Sequence, residues 1–283
     1  MRTLLTVIGD GTATPVLETA LLAARKFDGR IIGLNALTTE YAVVFGGEMG
    51  FSVSSEVDRT LEREGQERRN QARALFDSFM RRKEVPIVTA DALPPHGVSA
   101  EWREESGRQN AVVGSLGRVF DLIVVERPAK LASLAEATLE DALFESGRPV
   151  LMAPPTSLPT IGERIVIAWN GSTETARTVA LSMPYLALAR SVQVLSVEGA
   201  MQPGPSGDDL AEGLRQRGIA ATSRVIHAPN RQAGEVFLAE ARAAQCDLLV
   251  KGAYTQSRLR QMIFGGATRH IIMEATIPVI LAH

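Results

Sequence analysis

The chain alternates short apolar runs with longer segments whose apolar residues recur at helical spacing. Residues 4–8 and 30–37 are apolar runs of strand length. Between them, Val16, Leu17 and Ala20 fall on one face of a predicted helix. Glycine, proline and polar residues separate the runs. This alternation predicts an α/β protein whose parallel strands are covered by helices on both faces.

The same order of elements is predicted twice. In the first half, strands are predicted at residues 4–8, 30–37, 87–92, 121–125 and 149–153, and helices at 14–27, 55–83, 108–118 and 134–145. In the second half, strands are predicted at residues 164–169, 191–197, 221–227, 247–251 and 277–282, and helices at 173–190, 208–216, 233–244 and 267–274. The fold class expected is therefore two tandem, doubly wound, five-stranded parallel-sheet domains.

The repeat is also visible in the residues themselves. Asp121-Leu122-Ile123-Val124-Val125 corresponds to Asp247-Leu248-Leu249-Val250-Lys251. Near the end of each half, Pro149-Val150-Leu151 corresponds to Pro278-Val279-Ile280. A segment with three prolines among small polar residues separates the halves and is typical of a linker. We expect one domain at 1–153, a linker at 154–161 and a second domain at 162–283.

Composition narrows the class of protein. The chain has 283 residues, 45% of them hydrophobic, and a formal net charge of −2, so bulk attraction to nucleic acid or an anionic membrane is not expected. No apolar run approaches the ~20 residues of a membrane span. The single cysteine, Cys246, cannot form an internal disulfide, which fits a reducing compartment. The N-terminal apolar run is predicted to be a strand rather than a signal peptide. We expect a soluble, cytoplasmic protein.

The candidate chemistry lies near the C-terminus. The apolar run 247–251 ends at Gly252, a basic loop follows, and Gly265-Gly266 precedes the predicted helix 267–274. Unpaired N–H groups at a helix start attract anions, and glycine lets the backbone approach them closely. The pattern favours a phosphate site, although ordinary turn glycines are the alternative. Lys251, near this loop, is interpreted either as a phosphate ligand or as part of a solvated face.

Catalytic and metal-binding patterns are not found in the sequence. The four histidines show no metal-ligand spacing, and the Walker pattern is absent. Ser172 follows Asn170-Gly171 and fits a helix N-cap rather than a nucleophile elbow. The sequence therefore predicts a protein that is not an enzyme.

At this point the chain resembles the universal stress protein family in its tandem form, whose fold is adenine nucleotide alpha hydrolase-like. ATP-binding members carry Gly-x2-Gly-x9-Gly-Ser/Thr after the fourth strand and an Asp after the first. Gly252 and Gly265 match the first and third glycines of that motif. Thr255 stands at the second glycine, Gly266 at the Ser or Thr, and Asn170 at the Asp.

The resemblance implies a nucleotide site in the second half. Val197 falls near the end of the second strand, where the family's backbone contacts adenine. Ala267 and Thr268 open the helix after the glycines, and Thr268 offers a hydroxyl that Gly266 lacks. The expected ligand is ATP, with Mg²⁺, or a related nucleotide or other small molecule.

The first half departs from the motif, which implies that it does not bind a nucleotide. Residues 126–130 contain no glycine, and Glu136-Ala137 replaces Gly265-Gly266. An acidic residue at the phosphate end would repel the ligand. Asp10 does follow the first strand. The apolar, glycine-rich loop 38–54 is a candidate lid, ligand wall or oligomer contact.

The family implies a binding and regulatory module of the stress response. Two alternatives stay open, a ligand-free scaffold or dimerisation protein and a nucleotide hydrolase on the same fold. Because the family pairs its last strands between subunits, we expect the two halves to pack as an intramolecular pseudo-dimer. A homodimer of whole chains is also possible.

Overall fold

The computed structural model describes residues 1–9, 13–37, 55–91, 96–253 and 266–283. Ten strands form one sheet in the order β3-β2-β1-β4-β5-β10-β9-β6-β7-β8. The strands of the first half are β1 (Thr3–Val7), β2 (Arg30–Leu37), β3 (Ser99–Ser106), β4 (Leu122–Glu126) and β5 (Val150–Ala153). Those of the second half are β6 (Arg164–Ala168), β7 (Ser191–Val197), β8 (Ala221–Ile226), β9 (Leu248–Gly252) and β10 (Val279–Ala282).

The sheet consists of two parallel five-stranded halves with the same topology. The first half has the order 3-2-1-4-5, and the second half repeats it in the opposite direction across the sheet. The halves meet where β5 and β10 pair antiparallel, with Leu151 opposite Ile280. The doubly wound α/β fold class predicted from the sequence is confirmed.

Helices cover both faces of the sheet. They are α1 (Ala13–Phe27), α2 (Ser55–Arg82), α3 (Gln109–Leu116), α4 (Leu134–Glu145), α5 (Thr173–Leu181), α6 (Met183–Leu186), α7 (Gly207–Arg215), α8 (Ala233–Ala243) and α9 (Ala267–Glu274). Successive strand residues point to opposite faces, so Leu4 packs in the core beside α1, and Leu5 in the core beside α4. Within the described ranges, no helix is long and apolar enough to span a membrane.

The third strand of the first half was predicted in the wrong place. Within the predicted strand 87–92, the described residues 87–91 are not a strand, and Ile87 makes only an isolated parallel bridge with Ala100. The strand is β3, which pairs with β2 along its whole length. Its sequence, Ser-Ala-Glu-Trp-Arg-Glu-Glu-Ser, is charged because β3 lies at the end of the strand order, where side chains contact solvent.

The predicted helix 173–190 is two helices. α5 ends at Leu181 and the short α6 begins at Met183. Pro184 lies in the first turn of α6, where its missing N–H is tolerated, but it cannot continue α5.

Two matched aspartates fix the amino ends of the central strands. Asp121 precedes β4 and accepts hydrogen bonds from the backbone N–H groups of Arg2 (2.7 Å) and Thr3 (3.0 Å). Asp247 precedes β9 and accepts from the N–H groups of Glu163 and Arg164, each at 2.9 Å. Each aspartate therefore holds the start of the neighbouring strand, β1 or β6, in register.

Candidate functional site

The predicted site lies at the carboxyl ends of β6, β7 and β9, where α5 and α9 begin. Asn170 follows β6, and its Oδ1 accepts a hydrogen bond from the Thr175 hydroxyl at 2.7 Å. Ser172 caps α5, because its Oγ accepts from the Thr175 N–H at 3.2 Å. The side chain of Asn170 is thus held against the first turn of α5.

Gly252 ends β9 directly beneath that first turn. A Cβ placed on Gly252 would lie 2.4 Å from the backbone N and 2.6 Å from Oγ1 of Thr175. Only glycine fits here without moving α5. Thr175 therefore connects Asn170 and Gly252 physically, and Gly252 has a packing role whether or not a ligand binds.

Gly266 is the N-cap residue of α9 and leaves that helix start open. Its backbone is extended (φ −83°, ψ 175°), and no side chain of the described residues caps the helix. A Cβ placed on Gly266 would meet no atom within 4 Å in the part of the chain that the structure describes. Ala267 and Thr268, in the first turn, are half-buried. Gly234 of α8 packs against this turn, since a Cβ there would lie 2.7 Å from the Ala267 carbonyl oxygen.

Val197 ends β7, and its side chain is buried in the core beside α8 and α9. Its carbonyl accepts a hydrogen bond from the Ala200 N–H at 3.1 Å. The loop that follows crosses to β6, where the Gln202 N–H donates to the Asn170 carbonyl at 2.7 Å. Gly171 has φ +78° at this crossing, a conformation that favours glycine. The ends of β6 and β7 are thereby joined.

Lys251 is buried, so its interpretation as part of a solvated face is wrong. It is 3% exposed, and its Nζ donates to the Gly252 carbonyl at 2.8 Å. Burial lowers the pKa of Lys251 from 10.5 to about 8, and the negative charge of Glu174 opposes this shift. A buried, titratable lysine therefore lies at the carboxyl end of β9.

The corresponding end of the first half is acidic. β4 ends at Glu126, the match of Gly252, and its carboxylate lies near Gly9. α4 has 12 residues and α9 has 8, yet both end four residues before the matched Pro149 and Pro278. α4 therefore begins about one turn earlier than α9.

Side chains of the chain itself cap the start of this extra turn. The Ser133 hydroxyl accepts from the Glu136 N–H at 3.2 Å, and the Glu136 carboxylate accepts from the Ala132 N–H at 2.6 Å. The N–H donors at the start of α4 are thus used by the chain's own side chains, and a carboxylate lies where a phosphate would be expected.

Several predicted residues lie outside the described residues, namely Thr255, Gly265, Asp10 and the loop 38–54. Of the others, Asn170 and Gly252 come together through Thr175, and Gly266, Ala267 and Thr268 form the start of α9. Thr175 was missed as part of the site. Lys251 was considered as a phosphate ligand, but its burial was not predicted, although it had a signal because Lys251 interrupts an apolar strand. Among the described residues, no group of three or more His, Cys, Asp or Glu side chains is placed to hold a metal ion.

A cavity of about 260 Å³ opens at the other end of the second-half strands. Its walls include Leu158 and Pro159 of the linker, Arg242 of α8 and Glu274 of α9. Cys246 also lines it, and burial raises the pKa of this thiol to about 12, so the thiol is unreactive at neutral pH. Because β10 is antiparallel to β5, this cavity lies at the sheet edge that carries the carboxyl ends of the first-half strands.

The fold and the candidate site define a tandem α/β protein in which α9 begins after Gly266 without a side-chain cap from the described residues. Residues 163–283 match the model of the universal stress protein family. The second half of the chain is thus similar to that family, which confirms the resemblance inferred from the sequence.

Solved structures extend the fold to the whole chain. A universal stress protein from Archaeoglobus fulgidus DSM 4304 is similar at a TM-score of 0.69 and 14% identity, over 99% of this chain and 95% of its own. A candidate universal stress protein from Pseudomonas aeruginosa UCBPP-PA14 is similar at a TM-score of 0.54 and 17% identity, over 100% of this chain and 93% of its own. No curated protein sequence matches the chain significantly.

Proposed function

We propose that the second half of the chain binds one adenine nucleotide, ATP with Mg²⁺, and that the protein is a binding and regulatory module rather than an enzyme. The phosphates lie at the start of α9, and the nucleoside lies towards Asn170 and Val197. The first half binds no nucleotide and supports the second half through the shared sheet.

The observation that carries this proposal is the open start of α9. Gly266 provides no capping side chain, and no atom of the described residues lies within 4 Å of the place that its Cβ would take. The first N–H groups of a helix have no partners within the helix and carry partial positive charge. A phosphate bound there receives these hydrogen bonds without displacing a side chain.

The contrast with the first half supports a single site. There, Ser133 and Glu136 satisfy the start of α4, and Glu126 replaces Gly252. An incoming phosphate would meet two carboxylates and a capped helix. In the second half, α9 begins after Gly266, and β9 ends at Gly252 with the buried Lys251 before it, which suits an anion.

The test is a charge change at Gly266 that leaves the helix intact. Aspartate is a preferred N-cap residue and has room at this position, so Gly266→Asp should keep or raise stability. Its carboxylate would accept the N–H groups that a phosphate needs and would repel the ligand. Calorimetry with ATP and Mg²⁺ should give one site in the natural chain and an affinity lowered by about tenfold or more in this variant.

Gly266→Asn is the matched control, because asparagine has nearly the same shape and capping ability without the charge. We expect it to bind ATP more tightly than Gly266→Asp. Equal affinity in the natural chain and the aspartate variant would place any nucleotide elsewhere. If the natural chain binds no nucleotide, the ligand-free scaffold becomes the better reading, and steady release of phosphate from ATP would instead favour the hydrolase.

A further inference from the structure

The strand β9 contains a lysine where its counterpart in the first half contains valine. β1 pairs with β4 at Leu4 and Leu122, and β6 pairs with β9 at Ile165 and Leu248. Leu122 and Leu248 are therefore matched, and three residues further on Val125 matches Lys251. Val125 is 1% exposed and Lys251 is 3% exposed. An apolar side chain thus fits this position of the fold, so packing does not require the lysine.

The ammonium group of Lys251 is poorly compensated within the described residues. An ammonium has three N–H donors, and the hydrogen bond shown for Lys251 goes to the Gly252 carbonyl. Among the described residues, no carboxylate lies within ion-pair distance of its Nζ, and Glu174 acts on it only at longer range. A buried charge without a paired counter-charge is costly, so a valine here would make the protein more stable.

The position of the group suggests what balances the charge. The Gly252 carbonyl oxygen lies at the carboxyl end of β9, and Gly252 itself packs against the first turn of α5. The ammonium therefore lies at the sheet edge that carries Asn170. Ligands of doubly wound sheets bind at this edge.

We propose that Lys251 is a fixed counter-charge for an anionic group of the ligand that binds at the carboxyl end of β9. This inference rests on the proposed nucleotide site and deepens it, because it assigns phosphate recognition to a buried lysine in addition to the start of α9. The ligand class is then a polyanion, and the phosphate groups rather than the nucleoside provide the interaction with Lys251.

The experiment compares Lys251→Val with the natural chain, using ATP with Mg²⁺, adenosine and inorganic tripolyphosphate as probes. Valine is the residue that the first half already accommodates at the matched position. We expect ATP and tripolyphosphate to bind about tenfold or more weakly to the variant, because a charge-assisted contact is lost. Adenosine, which has no charge for Lys251 to meet, should bind both proteins equally. Lys251→Met is a second variant if valine disturbs the strand.

Lys130→Val is the control for net charge, because Lys130 is an exposed lysine in the corresponding connection of the first half. It should leave the affinities for ATP and tripolyphosphate unchanged. If Lys251→Val and Lys251→Met bind both anions as tightly as the natural chain, the counter-charge proposal is wrong, while the nucleotide-binding proposal stands. The counter-charge proposal is also wrong if the affinity for adenosine falls by the same factor as the affinity for ATP, since the effect is then structural.

The natural chain tests the two proposals separately. If it binds tripolyphosphate through Lys251 but does not bind ATP, the counter-charge stands and the nucleotide proposal fails. If it binds none of the three probes, both proposals fail.

Discussion

After β4 the chain uses residues 127–133 to reach α4, whereas after β9 it uses residues 253–266 to reach α9. The two connections join matched strands to helices that end at matched positions. The shorter one gives α4 an extra turn, and Glu136 in that turn supplies a negative charge of its own. The longer one leaves α9 to begin at a bare glycine.

The comparison indicates that, within one topology, the position at which a helix begins decides whether its first N–H groups meet the chain's own capping side chains. The closed version is capped by Ser133 and Glu136 and has Val125 and Glu126 at the end of β4. The open version has Lys251 and Gly252 at the end of β9. At both matched pairs of strand-end positions, the residue of the second half is more positive than that of the first half: Lys251 replaces Val125, and Gly252 replaces Glu126.

The largest effect we expect comes from removing the buried charge. At pH 7 the free energy of unfolding of the Lys251→Val variant should be about 3 kcal/mol higher than that of the natural chain, because the pKa of Lys251 falls from 10.5 to about 8 on folding. The natural chain should gain this stability as the pH rises from about 8 to 10.5, because the unfolded state binds the extra proton in that range. Urea unfolding of both proteins across this range measures the difference.

The Lys130→Val variant provides the baseline for that pH series, because it retains Lys251. A difference between the natural chain and Lys251→Val that stays constant from pH 7 to 10.5 would mean that the lysine is not destabilised by burial.

A somewhat smaller effect is expected where α5 packs on β9. Gly252→Ala should lower the free energy of unfolding by roughly 2–3 kcal/mol, because its Cβ would lie 2.4 Å from the Thr175 backbone N. Gly266→Ser is the matched control, since its side chain enters open space and can cap α9. Urea unfolding that shows equal stability for both variants would contradict the packing role of Gly252.

The smallest effects on stability are expected from the two aspartates that hold the central strands, and these effects should differ in size. Asp247→Asn should cost about 2 kcal/mol, because Asp247 is buried and also accepts a hydrogen bond from the Thr160 hydroxyl at 2.7 Å. Asp121→Asn should cost about 1 kcal/mol, because Asp121 is less buried. Thermal unfolding at pH 7 ranks the two variants, and the reverse order would mean that the two strand starts are not held in the same way.

Asp121 also predicts a dependence on acid. Burial alone would raise the pKa of Asp121, but hydrogen bonds from Arg2 and Thr3 outweigh it, so its pKa lies below 3.8. Its contribution is present above pH 3.8 and is lost as the pH falls through the lower, folded pKa. Asp121→Asn should therefore remove part of the acid sensitivity of the natural chain.

Much of the fold could be predicted because its evidence is local and repeated. The apolar strands that begin after Asp121 and Asp247, and the prolines before β5 and β10, mark equivalent elements in both halves. β3 was missed because an edge strand needs no continuous apolar run, and its charged sequence resembles a loop. The break between α5 and α6 was signalled by Pro184, but a proline near a helix end does not fix the boundary.

The candidate site was predictable only as a set of chain positions. The sequence placed Asn170 and Gly252 near strand ends, but the contact of both with Thr175 depends on how α5 packs on β9. The burial of Lys251 depends on three-dimensional packing as well. Two signals of it were present in the sequence: Lys251 interrupts an apolar strand, and the matched residue of the first half is Val125, an apolar residue.

The pairing of β5 with β10 has a consequence for how the molecule can vary. In a homodimer that pairs these strands, every substitution occurs twice, once on each side of the twofold axis. Here both sides of the junction belong to one polypeptide, so a lysine in β9 does not bring a lysine into β4. Because the two halves are linked in one chain, a substitution at the strand ends of one half leaves the other half unchanged, and both halves keep their place in the sheet.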